Sequence, residues 1–444
     1  MKARGSDRRQ GNPYGALGLQ AQGRPRYPDD VQEIVLLHIT GEDRPGLTTA
    51  LTGVLASHGI RILDMNQTVI HRTMLMGMLV QIPPSSESTA LLKDLLFTAH
   101  HMGLQLRMTP VEDHEYDAWV GRQGKPRFIL TLLARQLMAE HIAAVSRLLA
   151  EQGMNIDVIT RLSGRPPHED RADGVSPQRA CVEFSVRGQP RDEAVLREEL
   201  MAVTRRLPID LSWQRDDVYR RTRRLVAFDM DSTLIQHEVI DELAKEAGAG
   251  PEVAAITEAA MRGEIAFDES LRRRVATLAG LSASVLPAIA ARLTLSEGAE
   301  RLVASLKSFG YKTAIISGGF SYFGKDLQRR IGIDHVCANE LEIVNGVLTG
   351  RVLGSIINAQ RKAELLREIA SKEGIAREQT IAVGDGANDL PMLGAAGLGI
   401  AFRAKPIVAQ SARHHISQLG LDGILYLLGV RDRELIATAA AIAQ

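Results

Sequence analysis

The stretch Leu225-Val-Ala-Phe-Asp229-Met-Asp231-Ser-Thr-Leu-Ile235 places two aspartates directly after an unbroken apolar run. A run without polar alternation is typical of a strand covered on both faces, as in a parallel sheet. Open α/β sheets bind their ligands just beyond the carboxyl ends of such strands. Two carboxylates so close repel each other unless a cation or a shared proton relieves the repulsion. The stretch therefore predicts either a metal site or an acid/base pair, and these residues alone leave both interpretations open.

Two later apolar strands also end in residues that suit an anion or a cation. Tyr311–Ile316 runs into Ser317-Gly318-Gly319, whose hydroxyl and backbone N–H groups suit phosphate oxygens. Thr380–Val383 runs into Gly384-Asp385-Gly-Ala-Asn388-Asp389. Carboxylate oxygens suit a hard cation such as Mg²⁺, and no Cys/His set is present for zinc. Lys362 opens a predicted helix and, taken alone, would be expected to be solvated.

Between the first two of these strands the sequence predicts about four consecutive helices. The predicted ranges are Val239–Ala247, Pro251–Arg262, Phe267–Leu278 and Ala283–Arg292. Four helices are too many for a simple crossover between neighbouring strands, so they indicate an inserted helical cap. A cap beside the carboxyl end of a strand is placed to close over a site and exclude water.

These segments together resemble the haloacid dehalogenase superfamily. The resemblance rests on Asp229-x-Asp231-x-Thr233, Ser317, Lys362 and Gly384-Asp385-Gly-x-x-Asp389, which occur in the family's order. It implies that Asp229 is a nucleophile that forms an aspartyl-phosphate, that Asp231 is the acid and base, and that Lys362 orients Asp229. It also implies Mg²⁺ bound by the side chains of Asp229 and Asp385 and by the backbone carbonyl of Asp231, with Asn388 and Asp389 supporting the loop.

Within that superfamily the chain resembles the phosphoserine phosphatases. The resemblance implies Mg²⁺-dependent hydrolysis of O-phospho-L-serine to L-serine and phosphate, the last step of serine biosynthesis. Arg274 would hold the substrate carboxylate and Glu238 would face its ammonium, although Arg272-Arg273-Arg274 could also be a solvated charge run. The implied substrate-binding residues are Glu238, Met261, Phe267, Arg274, Ser317, Gly318, Lys362 and Asn388.

The region before the phosphatase segments contains an internal repeat. A predicted βαββαβ unit starts near Ile34 and a second copy starts at Phe128, an offset of 94 that also separates Gly59 from Gly153. A constant offset across a strand, a helix and a helix-ending glycine indicates a repeat. The charged stretch Asp216–Arg224 that follows the second copy is more typical of a solvated connector than of a nucleic-acid-binding patch.

Both copies resemble the ACT domain, a small ferredoxin-like module that often binds amino acids. The most specific part is Gly41-Glu-Asp43-Arg-Pro45-Gly46, where such domains hold a ligand at a strand-to-helix turn. This turn predicts a regulatory site for serine or a related amino acid, formed by Gly41, Asp43, Pro45 and Gly46. The alternative is that Pro-Gly only makes the turn and Asp43 caps the helix. The signature is absent from the second copy.

The predicted fold is therefore α/β: a Rossmann-like haloacid dehalogenase core with a helical cap, preceded by two α+β ferredoxin-like ACT domains. The predicted divisions are a disordered arm (1–31), two ACT-like domains (32–113 and 126–214), a phosphatase domain (224–429, cap about 236–296) and a tail (430–444). ACT modules commonly pair across a two-fold axis, so a homodimer is expected.

The composition of the chain bears on its binding partners and its cellular location. Lys plus Arg (53) balances Asp plus Glu (53), so the overall charge does not favour nucleic acid or membrane. No apolar run approaches the ~20 residues of a membrane span. Two separate cysteines are consistent with a reducing, cytoplasmic location.

Two alternative functions remain. One is a phosphatase or phosphotransferase for another small phosphomonoester, and the other is an amino-acid-sensing regulator with a secondary phosphatase core.

Overall fold

The computed structural model describes residues 33–82, 88–122, 124–165 and 178–435. It comprises two compact units, Met1–Gly124 and Lys125–Gln444. The predicted arm (1–31) and the last nine residues of the predicted tail lie outside the described residues.

The first unit contains a four-stranded antiparallel sheet covered on one face by two helices. Its elements are β1 (Glu33–Glu42), α1 (Leu47–Ser57), β2 (Arg61–Ile70), β3 (Thr73–Ile82), α2 (Ser88–His101), β4 (Gln105–Val111) and α3 (Asp113–Gly121). The strand order is β2-β3-β1-β4. Alternate residues of β1 and β3, such as Leu37 and Met76, are buried against Leu51 and Leu95 of the helices. Strand β2 is an edge strand and is mostly exposed.

The second module repeats this topology, which agrees with the predicted internal repeat. Its elements are β5 (Arg127–Ala134), α4 (Ala139–Glu151), β6 (Asn155–Arg161), β7 (Ala180–Arg187), α5 (Glu193–Arg206) and β8 (Ile209–Arg215), in the order β6-β7-β5-β8. Gly59 and Gly153, the two glycines that set the 94-residue offset, both have positive φ (63° and 72°) just after the first helix of their copy. Glycine adopts this left-handed conformation without steric cost, so it ends the helix in both copies.

The second module differs from the first because strand β5 of its sheet is buried on both faces. Strand β5 is buried from Phe128 to Ala134, and its residue Leu133, together with Cys181 of β7, packs in one apolar cluster with Val226 and Phe228 of the C-terminal domain. The second module and the C-terminal domain therefore share a hydrophobic core, and neither could be cut away without exposing apolar surface to water.

Polar contacts reinforce this shared face. Arg135 donates two hydrogen bonds to Glu297 at 2.6 and 2.7 Å. Asp210, which is 1% exposed, accepts hydrogen bonds from the backbone N–H of Ser417 and Gln418 at 2.8 and 2.7 Å. Charge-assisted hydrogen bonds of this kind are stronger than neutral ones, and they fix the orientation of the second module relative to the C-terminal domain.

The charged stretch 216–224 runs through this interface, so its prediction as a solvated connector is wrong for part of its length. Arg220 is 3% exposed and pairs with Glu183. Arg223 is 9% exposed and donates to the backbone carbonyl of Glu378 at 2.7 Å. Local sequence does not predict this burial, because buried arginines require acceptors that are distant along the chain.

His414 lies buried at the same interface and predicts an acid-dependent loss of stability. Burial lowers the pKa of His414 from its ordinary value to about 3, and its Nδ1 lies 2.9 Å from Ser212 Oγ. The unfolded chain therefore binds one more proton than the folded chain between about pH 6.5 and pH 3, so stability falls as pH falls. We expect a loss of about 2 kcal/mol between pH 7 and pH 5 from this group.

The measurement is urea denaturation of the wild type and His414→Gln at both pH values. The variant should lose less stability than the wild type on acidification. His101→Gln, which removes an exposed histidine of the first unit, is the control and should follow the wild type. Equal acid sensitivity of His414→Gln and the wild type would contradict the assignment.

The C-terminal domain is built on a seven-stranded sheet in which β9 is central. The strands are β9 (Leu225–Phe228), β10 (Lys312–Phe320), β11 (His335–Val344), β12 (Val347–Leu353), β13 (Thr380–Gly384), β14 (Leu398–Phe402) and β15 (His414–Ile416). Their order is β12-β11-β10-β9-β13-β14-β15, and every pair except β11–β12 is parallel. All four residues of β9 are buried, as the unbroken apolar run predicted.

Helices cover both faces of this sheet and form the predicted cap. The helices are α6 (Val218–Arg221), α7 (Val239–Glu246), α8 (Gly250–Met261), α9 (Phe267–Ala276), α10 (Leu286–Arg292), α11 (Ala299–Ser308), α12 (Ser321–Ile331), α13 (Ala359–Lys372), α14 (Leu390–Ala395), α15 (Pro406–Ser411) and α16 (Ile424–Leu427). Helices α7 to α10 lie between β9 and β10 in the chain, where the cap was predicted.

The hairpin β11–β12 joins the cap to the core. Its turn, Asn345-Gly346, has positive φ at both residues (52° and 77°), the conformation that tight hairpins favour. Backbone N–H groups of Gly280 and Ala283 in the cap donate to the carbonyls of Leu348 and Gly346 at 2.9 and 2.8 Å. The cap and the hairpin are thus fastened to each other by main-chain hydrogen bonds.

Candidate active site

The three strands that end in polar residues are neighbours in the sheet. Because β10, β9 and β13 are adjacent and parallel, Ser317, Asp229 and Asp385 come to the same edge. The backbone N–H of Asp229 donates to the carbonyl of Val383 at 2.9 Å, which fixes the start of the loop to β13. The loop then turns at Ser232, whose φ is 55°, a conformation that costs a non-glycine residue about 1 kcal/mol.

A cavity of about 530 Å³ lies between this edge and the cap. Its walls contain nearly every residue that the sequence predicted for the site. The predicted residues in its lining are Asp229, Asp231, Glu238, Met261, Phe267, Arg274, Ser317, Gly318, Asp385 and Asn388. Lys362 is not in the lining because it lies beneath Asp229, where its side chain is 1% exposed.

Lys362 joins two carboxylates at the base of the cavity. Its Nζ lies 2.8 Å from Asp229 Oδ2 and 2.7 Å from Asp389 Oδ1. Burial alone would lower the pKa of Lys362, but these two carboxylates raise it above its ordinary value. The lysine is therefore charged at neutral pH, and it holds the Asp229 carboxylate in one orientation while the N–H of Met230 holds the other oxygen at 2.7 Å.

Three carboxylates lie close enough to share a cation. Oxygen atoms of Asp229, Asp385 and Asp389 lie within 4.8 Å of one another. Burial and the charge of Asp229 raise the pKa of Asp385 to about 6 and that of Asp389 to about 7. Burial is the larger cause of both raised pKa values and the nearby charge of Asp229 adds to it, so a bound cation would favour the ionised form of these acids. An oxygen-lined, negatively charged site of this kind fits a hard divalent cation.

Asp231 has the properties of an acid that stays protonated. Burial, together with the carboxylates of Glu238 and Asp229, raises the pKa of Asp231 well above its ordinary value. Its Oδ1 accepts a hydrogen bond from the N–H of Val239 at 3.2 Å. Gly319 leaves room for this side chain, since a Cβ on that glycine would lie 2.3 Å from Asp231 Oδ2.

The cap supplies the opposite wall of the cavity. Arg274 is half-buried and lines the cavity, whereas Arg272 and Arg273 are exposed, so only the third arginine of the run faces the site. Phe267 packs over Gly318, where a Cβ would come within 3.1 Å of the ring. Met261 is 66% exposed at the cavity edge.

Some contributing residues carried no clear signal in the sequence. Thr233 belongs to the predicted motif, but its contact with Asp385, a hydrogen bond of 2.9 Å from Oγ1, required the structure. Asn339 is 2% exposed, donates to the carbonyl of Gly318 at 2.8 Å and accepts from the N–H of Ile357 at 2.8 Å. Asp389 was expected to support the loop, and its carboxylate accepts hydrogen bonds from Lys362 Nζ at 2.7 Å and from the N–H of Gly386 at 2.9 Å; it is also among the three carboxylates that approach one another.

The first unit has a separate, shallow cavity at the turn predicted to hold a ligand. It measures about 320 Å³, and its lining includes Asp43, Pro45, Gly46 and Thr48. Gly46 has φ 94° at the start of α1, and no side chain caps that helix. Gly41 is not in the lining. It allows close packing, since a Cβ there would lie 2.5 Å from Leu104.

Comparison with known families agrees with the architecture. Residues 33–109 and 128–214 match ACT-domain models, and residues 226–394 match the haloacid dehalogenase-like hydrolase model. The protein is thus of the class in which two ACT domains precede a haloacid dehalogenase-type hydrolase domain.

Whole-chain relatives define the family more closely. The phosphoserine phosphatase SerB2 of Mycobacterium tuberculosis is 43% identical over 91% of this chain and 95% of its own length. The phosphoserine phosphatase of Streptomyces coelicolor is 41% identical over 91% of this chain and 94% of its own. The chain belongs to the phosphoserine phosphatase family.

Solved structures show the same fold. A haloacid dehalogenase family hydrolase of Salmonella enterica serovar Typhi superposes with a TM-score of 0.58 at 31% identity, covering 68% of this chain and 98% of that one. A probable phosphoserine phosphatase of Vibrio cholerae gives a TM-score of 0.52 at 33% identity, covering 70% of this chain and 88% of that one. Within the described residues, no helix has the length and apolar character needed to cross a membrane.

Proposed function

We propose that this protein hydrolyses O-phospho-L-serine to L-serine and phosphate. The observation that carries the proposal is the Asp229 carboxylate, held by buried Lys362 at 2.8 Å in the base of a cavity that Ser317 and Arg274 also line. A carboxylate oriented by a cation and flanked by phosphate-binding groups is suited to nucleophilic attack on phosphorus. The relatives named for this activity support the choice of substrate.

The reaction would proceed in two steps. In the first, an oxygen of Asp229 bonds to phosphorus while the bond from phosphorus to the serine oxygen breaks, and Asp231 gives its proton to that oxygen. In the second, water attacks phosphorus, Asp231 takes the water proton, and the bond to Asp229 breaks to release phosphate. The raised pKa of Asp231 fits the first step, which requires a protonated acid.

Other groups would stabilise the charge that spreads over the phosphoryl oxygens. Ser317 is almost fully buried and lines the cavity with Gly318, and its Oγ accepts a hydrogen bond from the backbone N–H of Gly319 at 3.0 Å. Lys362 provides a fixed positive charge next to Asp229. Donors held in place before the reaction stabilise developing charge without reorganisation, which is the main electrostatic source of catalysis.

We propose Mg²⁺ as the cofactor, bound by Asp229, Asp385 and the backbone carbonyl of Asp231, with Asp389 as a further candidate oxygen donor. A divalent cation there would offset the repulsion between these carboxylates and an incoming phosphate dianion. The mutual approach of three carboxylates supports the site.

The direct test is the release of phosphate from O-phospho-L-serine with and without Mg²⁺. We expect release that depends on the added cation and stops on chelation. Absence of release with Mg²⁺ would reject the proposal and favour a sensor whose phosphatase core is silent. Faster turnover of an unrelated small phosphomonoester would instead favour the alternative substrate class.

Arg274→Ala should separate substrate recognition from chemistry. Because guanidinium binds carboxylate through two parallel hydrogen bonds, its removal should lower kcat/KM for phosphoserine by about 100-fold, whereas an aryl phosphate without a carboxylate should lose much less. Arg273→Ala, which removes an exposed arginine of the same helix, is the matched control. Equal losses on both substrates would contradict a carboxylate-binding role.

We also propose that the first ACT domain binds serine or a related amino acid at the turn 43–48. The uncapped start of α1 and its adjacent cavity support an anion-binding role for the free N–H groups, which suits a carboxylate. Calorimetry on the fragment 1–124, a compact unit, should detect binding that Asp43→Ala weakens. No heat with any amino acid would reject the site.

A homodimer through the first unit is a further proposal. The edge strand β2 exposes Ile62, Met65 and Ile70 at 40%, 46% and 61%. Exposed apolar edge strands favour pairing with another chain. Light scattering should report a dimer, and Met65→Lys should shift it towards the monomer.

A cytoplasmic location is proposed from Cys181 and Cys337, which are both free thiols.

A further inference from the structure

A second cation, Lys405, lines the catalytic cavity in addition to Arg274. Five acidic side chains share that lining, and they are Asp229, Asp231, Glu238, Asp241 and Asp385. Lys405 is exposed, and no described carboxylate lies within ion-pair distance of its ammonium group. A solvated lysine on the wall of an acidic cavity lowers the repulsion that an anionic substrate meets as it enters.

The loop that carries Lys405 is held in an unfavourable conformation. Arg403, two residues before it, has φ 43°, in the left-handed region that a residue with a Cβ rarely adopts. Such a conformation persists only where surrounding contacts fix it. The backbone N–H of Arg403 donates to the carbonyl of Ile416 at 2.8 Å, and its guanidinium donates to Glu297 Oε2 at 2.6 Å.

Glu297 also pairs with a second arginine, which belongs to the second ACT domain. Arg135, at the end of β5, makes two parallel hydrogen bonds to the two oxygens of Glu297. Arg135 lies in the strand-to-helix turn of the repeat, where the first copy has its glycine-rich signature. The strand-to-helix turn that borders a small cavity in the first copy thus contacts the phosphatase domain in the second.

We propose that Lys405 binds the substrate anion electrostatically and that Arg135 of the second ACT domain is a positioning residue for it, acting through Glu297 and Arg403. The inference rests on the proposed phosphatase activity and adds a requirement to it. A phosphoserine phosphatase of Streptococcus thermophilus, 48% identical, matches only 46% of this chain yet is covered over 95% of its own length. A chain without a residue equivalent to Arg135 would not show this dependence.

The test compares steady-state kinetics of the full-length protein on phosphoserine. Lys405→Met should raise KM by about three- to tenfold with a smaller change in kcat, and the increase should shrink at high salt because the interaction is screened. Arg135→Met should raise KM in the same direction. Arg135→Lys, which keeps the charge, should recover part of the loss.

Two comparisons separate positioning from general destabilisation. Arg179→Met removes another arginine of the same interface, one that pairs with Asp422 and not with the 403–405 loop, so it should leave KM unchanged. The double variant Arg135→Met/Lys405→Met should have the KM of Lys405→Met alone, because the two residues act in series.

Additive effects in the double variant, or an equal rise of KM in Arg179→Met, would overturn the role of Arg135. An unchanged KM in Lys405→Met would overturn the whole inference. The wild type is assayed first. If it does not hydrolyse phosphoserine, the proposed phosphatase function fails; if it does, the variants test the roles of Lys405 and Arg135 separately.

Discussion

Replacing Asp229 by asparagine is expected to lower phosphate release from phosphoserine by a factor on the order of 10⁴ or more, the range seen when a nucleophile is removed from a catalytic group. Asparagine keeps the shape of the side chain but presents a neutral amide, which is a poor nucleophile towards phosphorus. Its contact with Lys362 would also lose its ionic character. The measurement is the initial rate of phosphate release at saturating Mg²⁺.

The stability of this variant distinguishes a catalytic effect from misfolding. Asp229 shares a buried site with Asp385 and Asp389, so removing one negative charge relieves repulsion. We expect a thermal midpoint equal to or above that of the wild type. Asp326→Asn, the same change on α12 away from the cavity, should leave both rate and midpoint unchanged. Full activity of Asp229→Asn would exclude the aspartyl-phosphate route.

Lys362→Met is expected to have the second largest effect, because it acts on both catalysis and stability. The lysine is 1% exposed between carboxylates that are 7% and 0% exposed. Breaking one side of a buried ionic group typically costs about 3 kcal/mol or more, since an uncompensated charge stays buried. Catalysis should fall by about 10³-fold, because Asp229 loses its orientation and the phosphoryl group loses a fixed cation.

The pH dependence of that loss follows from the acids that remain. Lys362 lowers the pKa of Asp389, so without the lysine Asp389 would take up a proton more readily in the folded state, and the destabilisation should be larger at pH 8 than at pH 6. Urea denaturation at the two pH values measures this. Lys372→Met, at the exposed end of the same helix, is the matched control. A loss independent of pH would show that Lys362 contributes packing alone.

The strand-terminal chemistry could be predicted from the sequence because it depends on local rules. An apolar run followed by Asp229 predicts a strand and a polar end, and parallel neighbours bring such ends to one edge. Ser317 and Asp385 obey the same rule, and both lie in the cavity with Asp229. The family resemblance added the cap residues, of which Arg274 and Phe267 do face this cavity.

The contacts that were not predicted depend on residues far apart in the chain. Neither Arg223 nor Arg135 differs in sequence context from a surface arginine, yet each meets an acceptor more than 150 positions away. Periodicity predicts which face of an element is apolar, but not which other element will cover it. The second face of strand β5 is buried because the C-terminal domain packs on it, and the sequence does not identify that neighbour.

The main-chain fastening of the cap to the β11–β12 hairpin restricts how substrate can enter. Because Gly280 and Ala283 are hydrogen-bonded to the hairpin, that part of the cap is held in place, and we expect the entrance to widen at the cavity edge that carries the exposed Met261. We expect product to leave on the same side, because main-chain hydrogen bonds hold the other part of the cap against the Asn345-Gly346 hairpin.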